Sequence, residues 1–214
     1  MAIRPVFKVI DTKPYVSIID IEFVYNNGFA ITQKQKNIMA VHSKYKSIFS
    51  EGNILEISSK SMQPLGVNLS AFNLPLYVPS VKKNISVENA FQSGKVFEQG
   101  GPFRDILLLS PKEAKQDERL KTSGKLIKFS FEGTDYPINP PNAFYDYLYI
   151  SALNQNENLS KELMEYNAFT DIKYNPKKSI NCQAIAAARY VGMRLAGVAD
   201  EALDNFDSFI KRAF

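Results

Sequence analysis

The chain has 214 residues, 45% hydrophobic and 22% charged, with 26 basic and 22 acidic residues and a net charge of +4. That length suits one domain, or a domain with an extension, and the small positive excess permits an anionic ligand without predicting one. One cysteine excludes an internal disulfide framework, and one cysteine with one histidine excludes the usual Cys/His zinc cages. The start, Met1-Ala2-Ile3-Arg4-Pro5-Val6, lacks the long apolar stretch of a signal peptide. No apolar run approaches the ~20 residues that span a bilayer, so a cytoplasmic protein with no membrane partner is expected. Residues 6–29 alternate in places, with Ile19, Ile21 and Phe23 on one face of a strand closed by Asn26-Asn27-Gly28. Thr32 is placed to cap a helix reaching residue 49, with Ile38, Val41, Tyr45 and Ile48 on its apolar face. Lys34, Lys36, Lys44 and Lys46 lie on the other face, and a short strand over 54–57 follows Gly52-Asn53.

Residues 62–81 are rich in proline, asparagine and small side chains, which predicts a structured loop with a strand at 67–69. The spacing then predicts a helix over 87–98, stopped by Gly100-Gly101-Pro102. Ser110-Pro111-Lys112-Glu113 has the form of a capping box with proline at the first helical position, opening a helix to about residue 121. A strand over 126–131, helices over 142–153 and 160–166, an alanine-rich helix over 180–195 closed by Gly197, and an amphipathic helix over 200–214 complete the chain. The class expected is α+β, predominantly helical.

Histidine, the usual acid/base residue near neutral pH, occurs once, at His42, beside the lysine face of its helix, where a solvated imidazole is expected. Cys182 sits in an alanine-rich run and reads as packed core. Proton and nucleophile chemistry would fall to carboxylates, lysine or tyrosine. On a continuous helix Glu88, Gln92 and Lys95 are spaced four and three apart and share one face. Such a row is either a polar stack aimed into a pocket or a solvated Glu–Gln–Lys stripe. No phosphate-binding glycine loop and no Gly-x-Ser-x-Gly elbow is present.

The segment Ser86-Val87-Glu88-Asn89-Ala90-Phe91-Gln92-Ser93-Gly94-Lys95-Val96-Phe97 resembles the signature of the NADAR (YbiA-like) superfamily. Further blocks follow in the family order: Leu69-Ser70-Ala71-Phe72, Ser110-Pro111-Lys112-Glu113-Ala114-Lys115 leading to Arg119, the aromatic-rich 144–158 with Leu159 and Leu163, and Asn181 with Arg194. Gly100-Gly101-Pro102-Phe103, the 112–120 run, and Phe169-Thr170-Asp171-Ile172 before 175–181 resemble the NADAR proteins associated with DarT-type toxins. Departures exist: Asn89 stands where histidine is common and Ala71 where asparagine is. Tryptophan is absent, so a stacking platform would be Phe72, Tyr136 or another Phe or Tyr.

The resemblance implies a single compact NADAR-like catalytic domain over 61–214; residues 1–60 lie outside the shared blocks and are expected to form an N-terminal strand–helix extension packed on it, to which the resemblance assigns no role. It implies a hydrolase that removes ADP-ribose from guanine in DNA and so acts as antitoxin to a DarT-type ADP-ribosyltransferase. ADP-ribosylated DNA, ADP-ribose and the cognate toxin are then the partners, with no cofactor and no metal. In that reading Glu88 is acid/base and stabilises an oxocarbenium-like centre, and Lys95 is either a nucleophile on the sugar carbon or a charge partner. Asp171 activates water, or forms only a local turn. Gln92 holds a ribose hydroxyl, Arg119 binds diphosphate or makes a surface ion pair, and Asn181 binds ribose or phosphate or caps the last core helix. Ser70 and Phe72 line the base side. The alternatives are an N-glycosidase on a small riboflavin-pathway nucleotide and a non-catalytic module that binds ADP-ribose or toxin.

Overall fold

Val6 and Phe7 are neighbours in one strand, point to opposite faces, and are both buried, so the sheet that holds them is covered on both sides. The computed structural model describes residues 1–177 and 179–214; Lys178, inside the 175–181 motif, lies outside them. The chain opens with strands β1 (Ala2–Val9) and β2 (Val16–Phe23), helix α1 (Ile31–Ile48) and strand β3 (Ile54–Glu56). Helix α2 (Pro64–Asn68), the hairpin β4 (Pro75–Val78) and β5 (Lys83–Ser86), and helix α3 (Val87–Ser93) follow. Next come β6 (Lys95–Phe97), a 3₁₀ turn at Arg104–Leu108, α4 (Pro111–Gln116) and α5 (Arg119–Thr122). Strands β7 (Leu126–Phe131) and β8 (Thr134–Tyr136) lead to α6 (Ala143–Gln155), α7 (Glu157–Leu163) and β9 (Ala168–Thr170). The end is helical: α8 (Gln183–Leu195), α9 (Ala199–Ala202) and α10 (Phe206–Ala213). The class is α+β, as expected.

The largest sheet has strand order β2-β1-β9-β3, so a strand from late in the chain is inserted between two from its start. β9 runs antiparallel to β1 and parallel to β3, with Glu56 opposite Thr170. Val6, Ile21, Phe23 and Ile54 meet Val41 and Tyr45 of α1 on one face. Phe7, Leu55 and Phe169 join α3, α6 and α8 in the main core on the other. α8 lies so close to the first hairpin that a Cβ at Gly192 would stand 2.4 Å from the Ile10 carbonyl oxygen and 2.7 Å from that of Tyr15. Both obstacles are backbone, so Gly192→Ala is expected to lower unfolding free energy by about 1–3 kcal/mol through overpacking. Chemical denaturation checks this, and an unchanged midpoint would mean the hairpin can move away freely.

Several elements differ from the expected ones, for local reasons. Thr32 does not cap α1: the N-cap is Ala30, without a side-chain bond, and Ile48 lies exposed in the last turn. Residues 67–69 are not a strand, because Pro64 opens α2 and the strand of this region is β4. The 87–98 helix ends at Ser93: the Gly94 carbonyl accepts the Ser130 N–H at 2.7 Å, and Lys95 then pairs with Phe129 in the β6–β7 ladder. The capping box at Ser110 and Glu113 is formed, but its helix breaks where Asp117 Oδ1 takes the Arg119 N–H at 2.9 Å. The 200–214 helix is interrupted likewise, with Asn205 capping α10 by accepting from the Ser208 N–H.

Candidate active site

α3 is pinned at both ends of its first turn. Ser86 accepts the Asn89 N–H as its N-cap, and the Glu88 N–H donates to the Ala71 carbonyl at 2.9 Å. The loop over 69–72 is therefore fastened to the helix that carries Glu88. Asn89, at the position where histidine was anticipated, points away and donates to the Ile106 and Leu109 carbonyls at 2.9 and 2.7 Å. It secures the 3₁₀ turn to α3.

Beside α3 lies a cavity of about 570 Å³. Of the residues singled out in the sequence, Ser70, Phe72, Glu88, Gln92, Lys95, Asp171 and Asn181 line it. Arg119 does not. Its guanidinium bonds Asp105 Oδ2 at 2.6 Å and Asp117 Oδ2 at 2.7 Å and stacks on the Phe103 ring, so its charge is already matched outside the cavity. Tyr136 is likewise spent in packing against Phe144 and Phe206.

The wall formed by α3 carries a buried carboxylate. Glu88 is 4% exposed; its Oε1 accepts from Gln92 Nε2 at 2.8 Å and lies 3.5 Å from the Lys115 ammonium. Both partners use the same oxygen, which leaves Oε2 to face a ligand. Gln92 Oε1 is a buried acceptor with no partner among the described residues. Lys95 reaches the cavity from β6, not from the helix, with Nζ 4.7 Å from the centre of the Phe91 ring. Burial pulls its pKa down to about 8, with Glu88 opposing and Lys115 assisting the shift. At pH 7 roughly one Lys95 in ten is then a neutral amine.

Another wall is the turn after β9. Asp171 Oδ1 accepts the Lys173 N–H at 2.9 Å, forming the local turn that was one of its two readings, while Oδ2 accepts from Gln183 Nε2 at 3.0 Å. Gln183 also accepts the Ala71 N–H and donates to the Ile57 carbonyl, tying three walls together. Burial pushes the Asp171 carboxyl up to about 6. The helix α8 has Cys182 as its N-cap, with no side-chain cap from Asn181. Ser70 lends its hydroxyl to the Val67 carbonyl at 2.8 Å, which commits it to the loop.

Sequence reasoning missed two of the cavity's lysines, Lys115 and Lys173. Lys115 stands 5.2 Å from the Phe72 ring centre, and Lys173 Nζ donates to Ser59 Oγ at 3.1 Å. Lys115 lay within the quoted motif 110–115, but a six-residue helix shows no periodicity that would single it out. Ser58, Ser59, Tyr145, Tyr174 and Gln183 also line the cavity. His42 is not solvated: its Nε2 is 2.8 Å from Thr170 Oγ1, and burial drives its pKa down to about 4. Cys182 is buried, with its thiol pushed well up by desolvation. Among the described residues, no three His, Cys, Asp or Glu are grouped to hold a metal ion, and no helix is long and apolar enough to cross a membrane.

A protein with this α+β fold, in which blocks 69–72, 86–97 and 110–115 meet around one cavity, is a NADAR protein. The family model for DarT1-associated NADAR antitoxins matches residues 2–214, and the chain belongs to that family. No curated protein sequence matches it.

Proposed function

We propose that the chain is an N-glycosidase that removes ADP-ribose from guanine bases in DNA, reversing the mark of a DarT-type toxin. The observation that carries this reading is the Lys95 amine, desolvated to a pKa of about 8 and sharing one cavity with the Glu88 and Asp171 carboxylates. The bond to be broken joins C1 of the ribose to the exocyclic nitrogen of guanine. Such a bond breaks through an oxocarbenium-like centre that needs a nearby negative charge, a nucleophile and a proton for the departing nitrogen.

Neutral Lys95 attacks C1 as the bond to guanine breaks, and the bonding pair leaves on the exocyclic nitrogen. Glu88 Oε2 stabilises the cationic sugar, takes the proton released by the attacking amine, and returns it to that nitrogen. Guanine departs intact. The lysine adduct opens to an imine; Asp171, as carboxylate, takes a proton from the water that adds to C1. Asp171 passes that proton to the imine nitrogen and then relays the proton of the new hydroxyl to it, so Lys95 leaves as the amine and ADP-ribose is released with a carbonyl at C1. Gln92 Oε1, without a partner among the described residues, accepts a ribose hydroxyl.

Lys115 and Lys173 replace Arg119 as the groups that hold the diphosphate, because they are the cavity's lysines besides Lys95 among the described residues. Lys173→Ala is expected to raise KM by about tenfold with little change in kcat, the pattern of lost uniform binding, measured in steady-state assays at two salt concentrations. The substrate class is tested by comparing turnover of ADP-ribosylated guanine in DNA with that of free riboflavin-pathway nucleotides. The reading requires the DNA mark to be preferred by kcat/KM, and the reverse order would replace it with a metabolite N-glycosidase.

A further inference from the structure

Behind Asp171 runs a buried hydrogen-bond chain that lies outside the cavity. Glu56, the last residue of β3, is 2% exposed. Its Oε1 accepts from the Ile172 N–H at 2.9 Å and the Ser58 hydroxyl at 2.7 Å, and its Oε2 accepts from the Thr170 hydroxyl at 2.7 Å. One carboxylate thus grips the residues on either side of Asp171. Thr170 Oγ1 also lies 2.8 Å from His42 Nε2, which carries the chain from β9 into α1.

A threonine hydroxyl has one proton and donates it in one direction at a time. With Glu56 ionised, Thr170 donates to Glu56, and His42 must supply an Nε2–H to Thr170. With Glu56 protonated on Oε2, Glu56 donates to Thr170, Thr170 donates to His42 Nε2, and the imidazole carries its proton on Nδ1. The two states interconvert with every proton accounted for. A proton added at Nδ1 releases the Nε2 proton to Thr170, which passes its own to Glu56.

We propose that Glu56, Thr170 and His42 form a proton relay that positions Asp171 and transmits the charge state of the cavity to α1. Glu56 and Thr170 are positioning residues, and residues 1–60 supply two of the three members. The charged groups around the relay are Asp171 and Lys173 in the turn after β9, Arg4 of β1, and Lys46 beside His42 on α1. Burial and the Asp171 charge push the Glu56 carboxyl up to about 7. Burial and Lys46 hold His42 down at about 4, so the imidazole stays neutral and free to exchange tautomers while Glu56 titrates.

The proposal rests on Asp171 acting in the cavity, but its test needs no turnover. His42 is the sole histidine, so its two ring nitrogens are identified directly in a long-range ¹H–¹⁵N spectrum of labelled full-length protein. Lowering the pH from about 9 to about 5 is expected to convert the Nε2–H tautomer to Nδ1–H without forming imidazolium. In Glu56→Gln the amide oxygen stays on the Ile172 N–H and the NH₂ faces Thr170, which locks Nδ1–H at every pH. Thr170→Val uncouples the tautomer from pH. Asp171→Asn lowers the midpoint by about half a pH unit or more, because a like charge is removed. A tautomer that never changes in the unmodified protein, or an ordinary titration to imidazolium near 6.5, overturns the relay. A normal tautomer switch in a protein without glycosidase activity overturns the proposed reaction and leaves the relay standing. Hydrolysis without the switch does the opposite.

Discussion

Replacing Lys95 by methionine is expected to lower kcat on ADP-ribosylated guanine DNA by about a thousandfold or more, while binding of that DNA changes little. Methionine keeps an unbranched chain over Phe91 but has no lone pair able to form a covalent nitrogen adduct. The unmodified enzyme should be trapped by borohydride during turnover, giving ADP-ribose reduced onto Lys95. Its rate should rise with pH through about 8, because the ammonium that predominates below that value cannot attack. Turnover without a trapped adduct, together with a rate flat across that range, would assign Lys95 a purely electrostatic role. Lys95→Arg separates the two, since it keeps the positive charge and removes the nucleophile.

Glu88→Gln should cost about 10²–10⁴ in kcat, the usual size of a lost acid/base group. The substitution keeps an oxygen that can accept from Gln92 Nε2, bonded at 2.8 Å to Glu88 Oε1, so the α3 wall should hold its shape. What disappears is the negative charge beside C1 and the site that carries a proton from Lys95 to guanine. Because Lys115 lies 3.5 Å from the same oxygen, the variant also frees that cation, and ADP-ribose should bind as tightly as before or tighter. A Glu88→Gln protein with full turnover would remove the residue from the mechanism. Calorimetry with ADP-ribose would then show whether it contributes to binding instead.

The legibility of the site followed from how local its determinants are. Ser110, Pro111 and Glu113 act within one helical turn, and the capping box they form is the one the spacing implies. Ser86 likewise starts α3 where the sequence places its start. The end of α3 is different. Lys95 looks helical beside Glu88 and Gln92, but the Gly94 carbonyl is claimed by Ser130, thirty-six positions along the chain by their numbering. Strand pairing of that kind leaves no mark within the segment itself. Lys95 nonetheless enters the expected cavity, because leaving the helix as a strand still lays its side chain over Phe91.

Non-local pairing also hid Glu56 and His42. Glu56 reads as an ordinary charged residue beside Ser58, and only the insertion of β9 next to β3 sets it against Thr170. His42 appears solvated on a helix rich in lysine until the same sheet brings Thr170 beneath it. Arg119 failed as a diphosphate ligand for the converse reason: Asp117 is two residues away and claims it first. The collinear motifs found the family because they record what surrounds the cavity, whereas they say little about which charges are matched elsewhere.

Catalytic removal of the mark is tested most directly by product balance. Catalytic amounts of the full-length protein are mixed with guanine-ADP-ribosylated DNA, and both products are followed by mass spectrometry. One free ADP-ribose and one unmodified guanine are expected for each mark lost, over many turnovers. An intact mark, with the protein held in a stoichiometric complex with the DNA, would contradict catalytic removal.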